Sequence, residues 1–431
     1  MEHNGFSPIS QQGQEEGVAP MPQTESGNCE IHEREAAVFP GILAESLTQS
    51  RSVLVLYLSF ILMGVCTTIL GPILPELSLR WHLNDAHAGA LFTAQFIGSS
   101  LGGLLAAIHP PRCTILGFLI LVSGLLVLTV ATPSVVTPLL FMYGLGGGLV
   151  LTGINLTMSN ISGRRRGQAL SWLNFCWSLG ATICPVLAGV FVPRHRLGVF
   201  LLILSCWGAV MAIAFIRHLT AYSRRGSDSA QEAGPPTSSV RFYIVYFGTL
   251  LFLYVGVETV LGGWLSTLAT RLNRSGSFGE LAISMSSFFW LALLVGRGVF
   301  ALALKWVRDS YLQPLAVACS IGSICILVAV RSFTGVAIAA SLAGLSLAPV
   351  FPLSLSFFLS HADRSKSSGM VFAICGLGGA VMPWMTGALS TYRQSLEWGL
   401  VVPLGGAILM LALSINYLLL LRPRHISSCP S

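Results

Sequence analysis

Long apolar runs, separated by short polar connections, make up most of the chain after about residue 51. A helix that crosses a bilayer needs about 20 mainly apolar residues. Runs of that length occur twelve times, which predicts an all-α integral membrane protein with twelve transmembrane helices. The predicted spans are 52–75, 86–108, 112–132, 135–160, 168–192, 197–217, 241–268, 281–304, 311–330, 333–360, 368–391 and 396–421. A short turn that contains proline divides the third span from the fourth.

Polar segments divide the chain into domains. Residues 1–50 are acidic and contain several Pro and Gly, which predicts a disordered tail. Residues 218–240 are rich in Ser, Gly, Pro and charge, which is typical of a linker. The linker separates two predicted six-helix bundles, residues 51–217 and 241–421. Residues 422–431 form a second tail.

A repeated motif relates the two halves of the chain. In each half a basic loop is followed by a helix in which Gly, Pro and Gly have the same spacing. The matching positions are Gly180, Pro185 and Gly189 in the first half, and Gly378, Pro383 and Gly387 in the second. A duplicated membrane chain is typical of secondary transporters, whose binding site lies between the halves. Gly and Pro also permit the bends that gates need, although many membrane helices tolerate them.

The composition agrees with a membrane protein. The chain is 53% hydrophobic and 10% charged, whereas a soluble domain is about 25% charged. Its net charge of +7 is not concentrated in a basic stripe, so we expect no nucleic-acid partner. More Arg and Lys lie in the loops on the side of the N-terminus, which predicts that both termini are cytoplasmic. We therefore expect a monomer in the plasma membrane, surrounded by lipid bilayer.

Enzyme and cofactor motifs are missing from the sequence. The ten cysteines show no CxxC or Cys/His spacing, so they predict neither a metal site nor a disulfide framework. The sequence also lacks a phosphate-binding loop and a hydrolase motif. We therefore expect a protein that is not an enzyme and has no cofactor.

Three stretches resemble the major facilitator superfamily. They are "GPILPEL" (71–77), "GATICPVLAG" (180–189) and "LYVGVETVLGGWLSTLATR" (253–271). The last of these is similar to the seventh helix of the fucose-permease-like and sugar-transporter-like branches. The resemblance covers about residues 51–421, and it implies the major facilitator fold of two pseudo-symmetric six-helix bundles with transport by alternating access.

The sequence also departs from that superfamily at positions that matter for coupling. Fucose permeases carry acidic residues in helices one and four, where this chain has Gly71 and Leu151. The arginine that drug–proton antiporters carry in helix four has no counterpart in residues 141–153. The loop within residues 102–117 lacks the aspartate of the superfamily pattern and retains only Arg112 of its basic cluster. Neither familiar proton-coupling set can therefore be transferred to this chain.

Glu258 is the one acidic residue deep inside a predicted span. An intramembrane carboxyl is costly, and it usually has a function. We expect Glu258 to face a central cavity, where it binds substrate or exchanges a proton. The alternative is a structural carboxyl that bonds to a neighbouring helix. Tyr254 and Gly262 lie one turn to either side on the same face, and Tyr254 is a further candidate substrate contact.

Other polar and aromatic residues within the spans are candidate substrate contacts. They are Gln95, Asn155, Asn174, Trp177, Trp290 and Trp384. Amides and an aromatic plane suit a sugar, but the same groups can tie helices together. For Arg297 we favour a structural or gating role over substrate binding.

These features predict a secondary transporter for a small polar solute such as a sugar, with protons as a coupling ion through Glu258. An efflux antiporter for drugs or metabolites, and a non-transporting sensor on a transporter fold, remain as alternatives.

Overall fold

The computed structural model describes residues 51–163, 166–225, 238–273, 279–303, 309–361 and 366–420. In these ranges the backbone is helical apart from short connections. Twelve long helices follow one another in the described residues: α1 (Arg51–Trp81), α2 (Asp85–Ala106), α3 (Pro110–Leu128), α4 (Pro133–Ile161), α5 (Arg166–Phe191), α6 (Leu197–Arg225), α7 (Ser238–Leu272), α8 (Ser286–Ala303), α9 (Asp309–Ala329), α10 (Phe333–His361), α11 (Lys366–Arg393) and α12 (Val401–Leu420).

The helices confirm the predicted all-α membrane architecture. Eleven helices in the described ranges are long and apolar enough to cross a bilayer, and a shorter apolar helix, Ser286–Phe300, forms the described part of the eighth span. The proline turn does divide the third span from the fourth, because α4 begins at Pro133. Proline suits the first turn of a helix, where its missing N–H leaves no hydrogen bond unmade. The tails and most of the predicted linker lie outside the described residues, and α6 continues to Arg225, beyond its predicted end at 217.

Local signals set several helix ends. The Asn84 side chain accepts a hydrogen bond from the backbone N–H of His87 at 2.8 Å and so caps α2. Ser332 caps α10 in the same way, by accepting from the N–H of Gly335 at 3.2 Å. Both caps satisfy a backbone donor that the first helical turn leaves free. α10 is interrupted between Leu347 and Val350, next to Pro349.

The bundle has two opposite faces, a distal face and a terminal face. The distal face carries the connection between α1 and α2, residues 82–84. The terminal face is the opposite one, where α1 begins at Arg51. Because the twelve helices alternate in direction, α12 ends on the terminal face at Leu420.

The repeated glycines pack in equivalent ways in the two halves. Gly180 of α5 lies so close to α1 that a Cβ atom there would clash with the carbonyl oxygen of Ile61. Gly378 of α11 has the same relation to α7, through the carbonyl oxygen of Phe252. Since α1 and α7 occupy matching places in the two halves, the sequence repeat corresponds to a repeat of backbone packing.

The second glycine of each motif lies between the halves. A Cβ atom on Gly189 would clash with Ser284, just before α8, and one on Gly387 would clash with the carbonyl oxygen of Asp85, the first residue of α2. The proline between the two glycines removes one helical hydrogen bond. In α5 the carbonyl of Pro185 accepts an additional hydrogen bond from the Ser284 hydroxyl, at 3.1 Å. Each motif therefore packs one helix against its own half and against the other half.

We expect Gly180→Ala and Gly378→Ala each to lower the melting temperature of the purified protein. The added methyl group would force two helix backbones apart, and overpacking of this kind costs about 1–3 kcal/mol. Gly322→Ala is the matched control, because Gly322 of α9 has open space where a Cβ atom would lie. Alanine also favours the helix more than glycine does, so this control should melt at or above the temperature of the unchanged protein. Equal melting temperatures for all three variants would contradict the packing.

Candidate functional site

Glu258 lies buried in the middle of α7, with 8% of its surface exposed. One turn earlier, Tyr254 is fully buried and donates a hydrogen bond from its hydroxyl to Glu258 Oε1 at 2.9 Å. The Arg297 guanidinium of α8 forms an ion pair with the same oxygen, with Nη2 3.8 Å away. The carboxyl group is therefore held by one hydrogen bond and one cation, both from its own half of the protein.

Arg297 also reaches the other half. Its Nη1 donates a hydrogen bond to the Ser178 hydroxyl of α5 at 2.5 Å. That hydroxyl donates in turn to the backbone carbonyl of Asn174 at 2.9 Å. Arg297 Nε is buried and has no partner among the described residues. The guanidinium thus bridges the two halves and retains an unused donor.

A pair of tryptophans joins the halves beside this ion pair. The rings of Trp177 (α5) and Trp290 (α8) meet edge to face, with centroids 5.5 Å apart and planes at 83°. Gly262 leaves room for the Trp290 ring, which a Cβ atom at that position would strike. Trp290 Nε1 is buried without a partner in the described ranges, whereas Trp177 Nε1 donates to the Thr67 hydroxyl at 3.1 Å.

Gln95 of α2 meets the same region from the first half. It is 3% exposed, and its Nε2 donates to the backbone carbonyl of Thr67 at 3.0 Å. Thr67 therefore connects Gln95 with Trp177. The structure thus connects Gln95, Trp177 and Trp290 through Thr67. The ion pair lies next to this group along α5, because its partner Ser178 follows Trp177 in the chain.

Three candidates lie apart from these residues. The Asn155 and Asn174 side chains donate to carbonyls of their own helices, Leu151 at 2.9 Å and Leu170 at 3.0 Å. Asn174 is exposed, and so is Trp384, at 47%. The side chains of Asn155, Asn174 and Trp384 therefore have no hydrogen bond or ring contact that joins them to the residues around Glu258 among those found in the described part of the chain.

Another ion pair, on the distal face, joins the two halves of the protein. Arg271, in the last turn of α7, donates two hydrogen bonds to the carboxylate of Asp85, at 2.8 and 2.5 Å. The Ser390 hydroxyl of α11 donates to Asp85 Oδ2 at 2.5 Å, and the Thr391 hydroxyl accepts from the backbone N–H of Ala86 at 2.9 Å. These contacts tie the start of α2 to the ends of α7 and α11.

Sequence reasoning missed this distal cluster. Asp85 lies at a helix end, where an acid is ordinary because it stabilises the first helical turn. Its partners are 186 and 305 residues away in the chain, and a single sequence carries no signal for such pairs. Ser178, the partner of Arg297, was missed for the same reason.

The model of the Major Facilitator Superfamily matches residues 56–383. The chain belongs to the major facilitator superfamily. The resemblance noted in the sequence is therefore confirmed.

Relatives of this superfamily member carry transporter names. It is 24% identical over 408 residues to the mouse (Mus musculus) "Sodium-dependent glucose transporter 1A", covering 82% of this chain and 93% of that protein. It is also 24% identical over 415 residues to the "Gentisate transporter" of Corynebacterium glutamicum, covering 89% and 90% of the two chains.

Solved structures show the same fold. The nucleoside transporter NupG aligns with a TM-score of 0.68 at 13% identity, covering 85% of this chain and 99% of that one. A bacterial homologue of the lysosomal transporter Spinster, described as inward-facing and unoccupied, also aligns with a TM-score of 0.68, at 12% identity and 86% and 97% coverage.

The ion pair in this superfamily member can be tested through its stability. We expect Arg297→Gln to lower the melting temperature markedly, because removing one partner of a buried pair costs about 3–5 kcal/mol. The double variant Glu258→Gln/Arg297→Gln removes both charges and should recover most of that loss.

Arg194→Gln is the matched control, since Arg194 and Glu280 form an exposed pair, 48% and 53% accessible. Its effect should stay within about 1 kcal/mol. Glu258→Gln is measured as the second single variant. If its loss of melting temperature and that of Arg297→Gln simply add in the double variant, Glu258 and Arg297 do not stabilise each other.

Proposed function

We propose that this protein is a secondary transporter that moves a small polar solute, such as a sugar, by alternating access. In this proposal the solute binds between the halves, beside Glu258, Arg297, Trp177 and Trp290. Glu258 exchanges a proton during the cycle and so couples transport to a proton gradient.

The observation that carries the proposal is the double contact of Arg297. The guanidinium is shared between the Glu258 carboxylate of the second half and the Ser178 hydroxyl of the first half. A buried carboxylate needs its cation, but a protonated carboxyl group does not. Protonation of Glu258 would therefore free Arg297 and alter a contact on which the halves depend. A proton at one atom would thus change the equilibrium between two arrangements of the bundles.

A sugar-like solute is supported by two observations. The mouse relative is named as a glucose transporter. The site also combines hydroxyl, amide and aromatic groups, which suit a neutral solute with many hydroxyls. The sodium dependence in the name belongs to that relative, and in this chain Glu258 makes the proton our choice of coupling ion.

Orientation and location complete the proposal. The Arg and Lys residues of the predicted loops favour the side on which the chain begins, so the terminal face would be cytoplasmic and the protein would act as a monomer in the plasma membrane. The distal face would then be the outer one. The cluster of Asp85 and Arg271 would close this outer face, so the site would be accessible from the cytoplasm.

We expect Glu258→Gln to uncouple transport. Purified protein in liposomes, with labelled D-glucose as the first probe, should accumulate the solute under a proton gradient. A glutamine side chain cannot release a proton, so the variant should lose accumulation while it keeps solute exchange at equal pH.

Glu280→Gln is the matched control, because Glu280 is an exposed acid near the distal face. It should transport like the unchanged protein. Normal gradient-driven accumulation by Glu258→Gln would refute the coupling role. Accumulation driven by a sodium gradient alone would assign coupling to another ion, and flux that ignores both gradients would make the protein a uniporter.

A further inference from the structure

A small pocket lies inside the first half of the protein, between α1, α2, α3 and α4. Its polar lining includes Thr67, Gln95, Ser99 and Tyr143, and its apolar lining includes Met63, Phe96 and Leu121. The Tyr143 hydroxyl already donates to the backbone carbonyl of Cys66 at 2.6 Å. Gln95 and Ser99 are four residues apart on α2, so they share one face of the helix. None of the residues that line the pocket is charged.

Gln95 presents an unused acceptor in this pocket. Its Oε1 is buried and has no hydrogen-bond partner in the described part of the chain. The orientation of the amide is determined, because Nε2 donates to the Thr67 carbonyl at 3.0 Å and a flipped amide would place oxygen against oxygen. A buried acceptor without a donor costs about 1–3 kcal/mol.

The backbone around Gln95 holds that acceptor in place. Gly144 of α4 packs directly on the carbonyl of Gln95, where a Cβ atom would clash. Thr67 is occupied as well, since its hydroxyl donates to the Met63 carbonyl and accepts from Trp177 Nε1. Thr67 therefore has no donor left for Gln95 Oε1, and this oxygen can accept a hydrogen bond from a group that enters the pocket.

We propose that this pocket is a hydroxyl subsite of the solute site, which rests on the transport function proposed above. A hydroxyl group of the solute donates a hydrogen bond to Gln95 Oε1. A neighbouring oxygen of the solute accepts a hydrogen bond from the Ser99 hydroxyl. Thr67 lines the pocket and accepts a hydrogen bond from Trp177, whose ring meets Trp290. The rest of the solute therefore lies towards the Trp177 and Trp290 rings.

The subsite narrows the substrate class. Oε1 is an acceptor and would repel a carboxylate, and the lining offers no cation to bind one. The pocket therefore favours an uncharged polyol or monosaccharide over an organic acid. Its small size suits a single hydroxyl or hydroxymethyl group rather than a whole sugar ring.

Solute exchange in liposomes at equal pH tests the subsite without any need for coupling. The unchanged protein should exchange labelled D-glucose or another member of a monosaccharide and polyol panel, and one deoxy analogue of that solute should bind about tenfold more weakly. Gln95→Met keeps the volume of the side chain but removes the acceptor. It should therefore weaken binding of the parent solute by a similar factor. The same substitution should not weaken binding of that one deoxy analogue any further. The analogue lacks the hydroxyl that donates to Gln95, so this hydrogen bond is already absent.

Gln313→Met is the matched control. Gln313 is also buried, at 1% exposure, but it bonds to Ser354 between α9 and α10. It should leave the preference among analogues unchanged. Equal losses with every deoxy analogue, or unchanged affinity in Gln95→Met, would overturn the subsite and leave a pocket filled by water alone.

The outcomes separate the subsite from the proposed transport function. Exchange of gentisate but of no sugar or polyol would overturn the subsite while supporting a transporter. If no solute is exchanged, shifts in melting temperature with the same panel report binding directly. A polyol that raises the melting temperature of the unchanged protein but not of Gln95→Met would support the subsite even though transport had failed. The absence of any shift in melting temperature would overturn both the subsite and the proposed transport function.

Discussion

A carboxylate buried in a membrane protein requires a cation or a proton, and the centre of this molecule is arranged around that requirement. Arg297 provides the cation for Glu258 and at the same time donates to Ser178 of the other half. The carboxyl group is therefore not an isolated anomaly in an apolar helix. Its charge state is connected, through one guanidinium, to a contact between the two bundles.

Close backbone packing holds the helices that present this pair. Between helices in lipid the hydrophobic effect contributes little, so association depends on small residues and on hydrogen bonds. Gly180 and Gly378 meet these conditions at equivalent places, against α1 and α7. α7 carries Glu258, and α5 carries Ser178 and Trp177. The repeated motif thus packs α5 against α1 and α11 against α7, the helix that carries Glu258.

Most of the fold could be predicted from the sequence, because a bilayer imposes a length and a polarity on each helix. The twelve spans, the proline turn before α4 and the repeat of Gly180 and Gly378 all follow from local patterns. The neighbourhood of Glu258 on its own helix followed from helical spacing, which placed Tyr254 beside it.

The contacts between helices could not be predicted in the same way. For Arg297 the sequence favours a structural or gating role but does not identify its partners, which the structure shows to be Ser178 and Glu258. Asn155 and Asn174 looked equivalent to Gln95 in the sequence, but they bond within their own helices. An amide side chain in an apolar run can form its hydrogen bond within its own helix or with a neighbouring helix. Only the packing of the helices decides between these two possibilities.

The distal and central ion pairs differ in a way that fits their positions. The carboxylate of Asp85 receives two hydrogen bonds from Arg271 and one from Ser390, so nearly all of its accepting capacity is used. Glu258 receives one hydrogen bond, and its cation stays 3.8 Å away. A saturated pair stabilises one closed arrangement, whereas a loosely paired carboxyl group retains capacity for a proton or a solute. The tighter contact therefore suits a closure and the looser one suits a site that changes its partners.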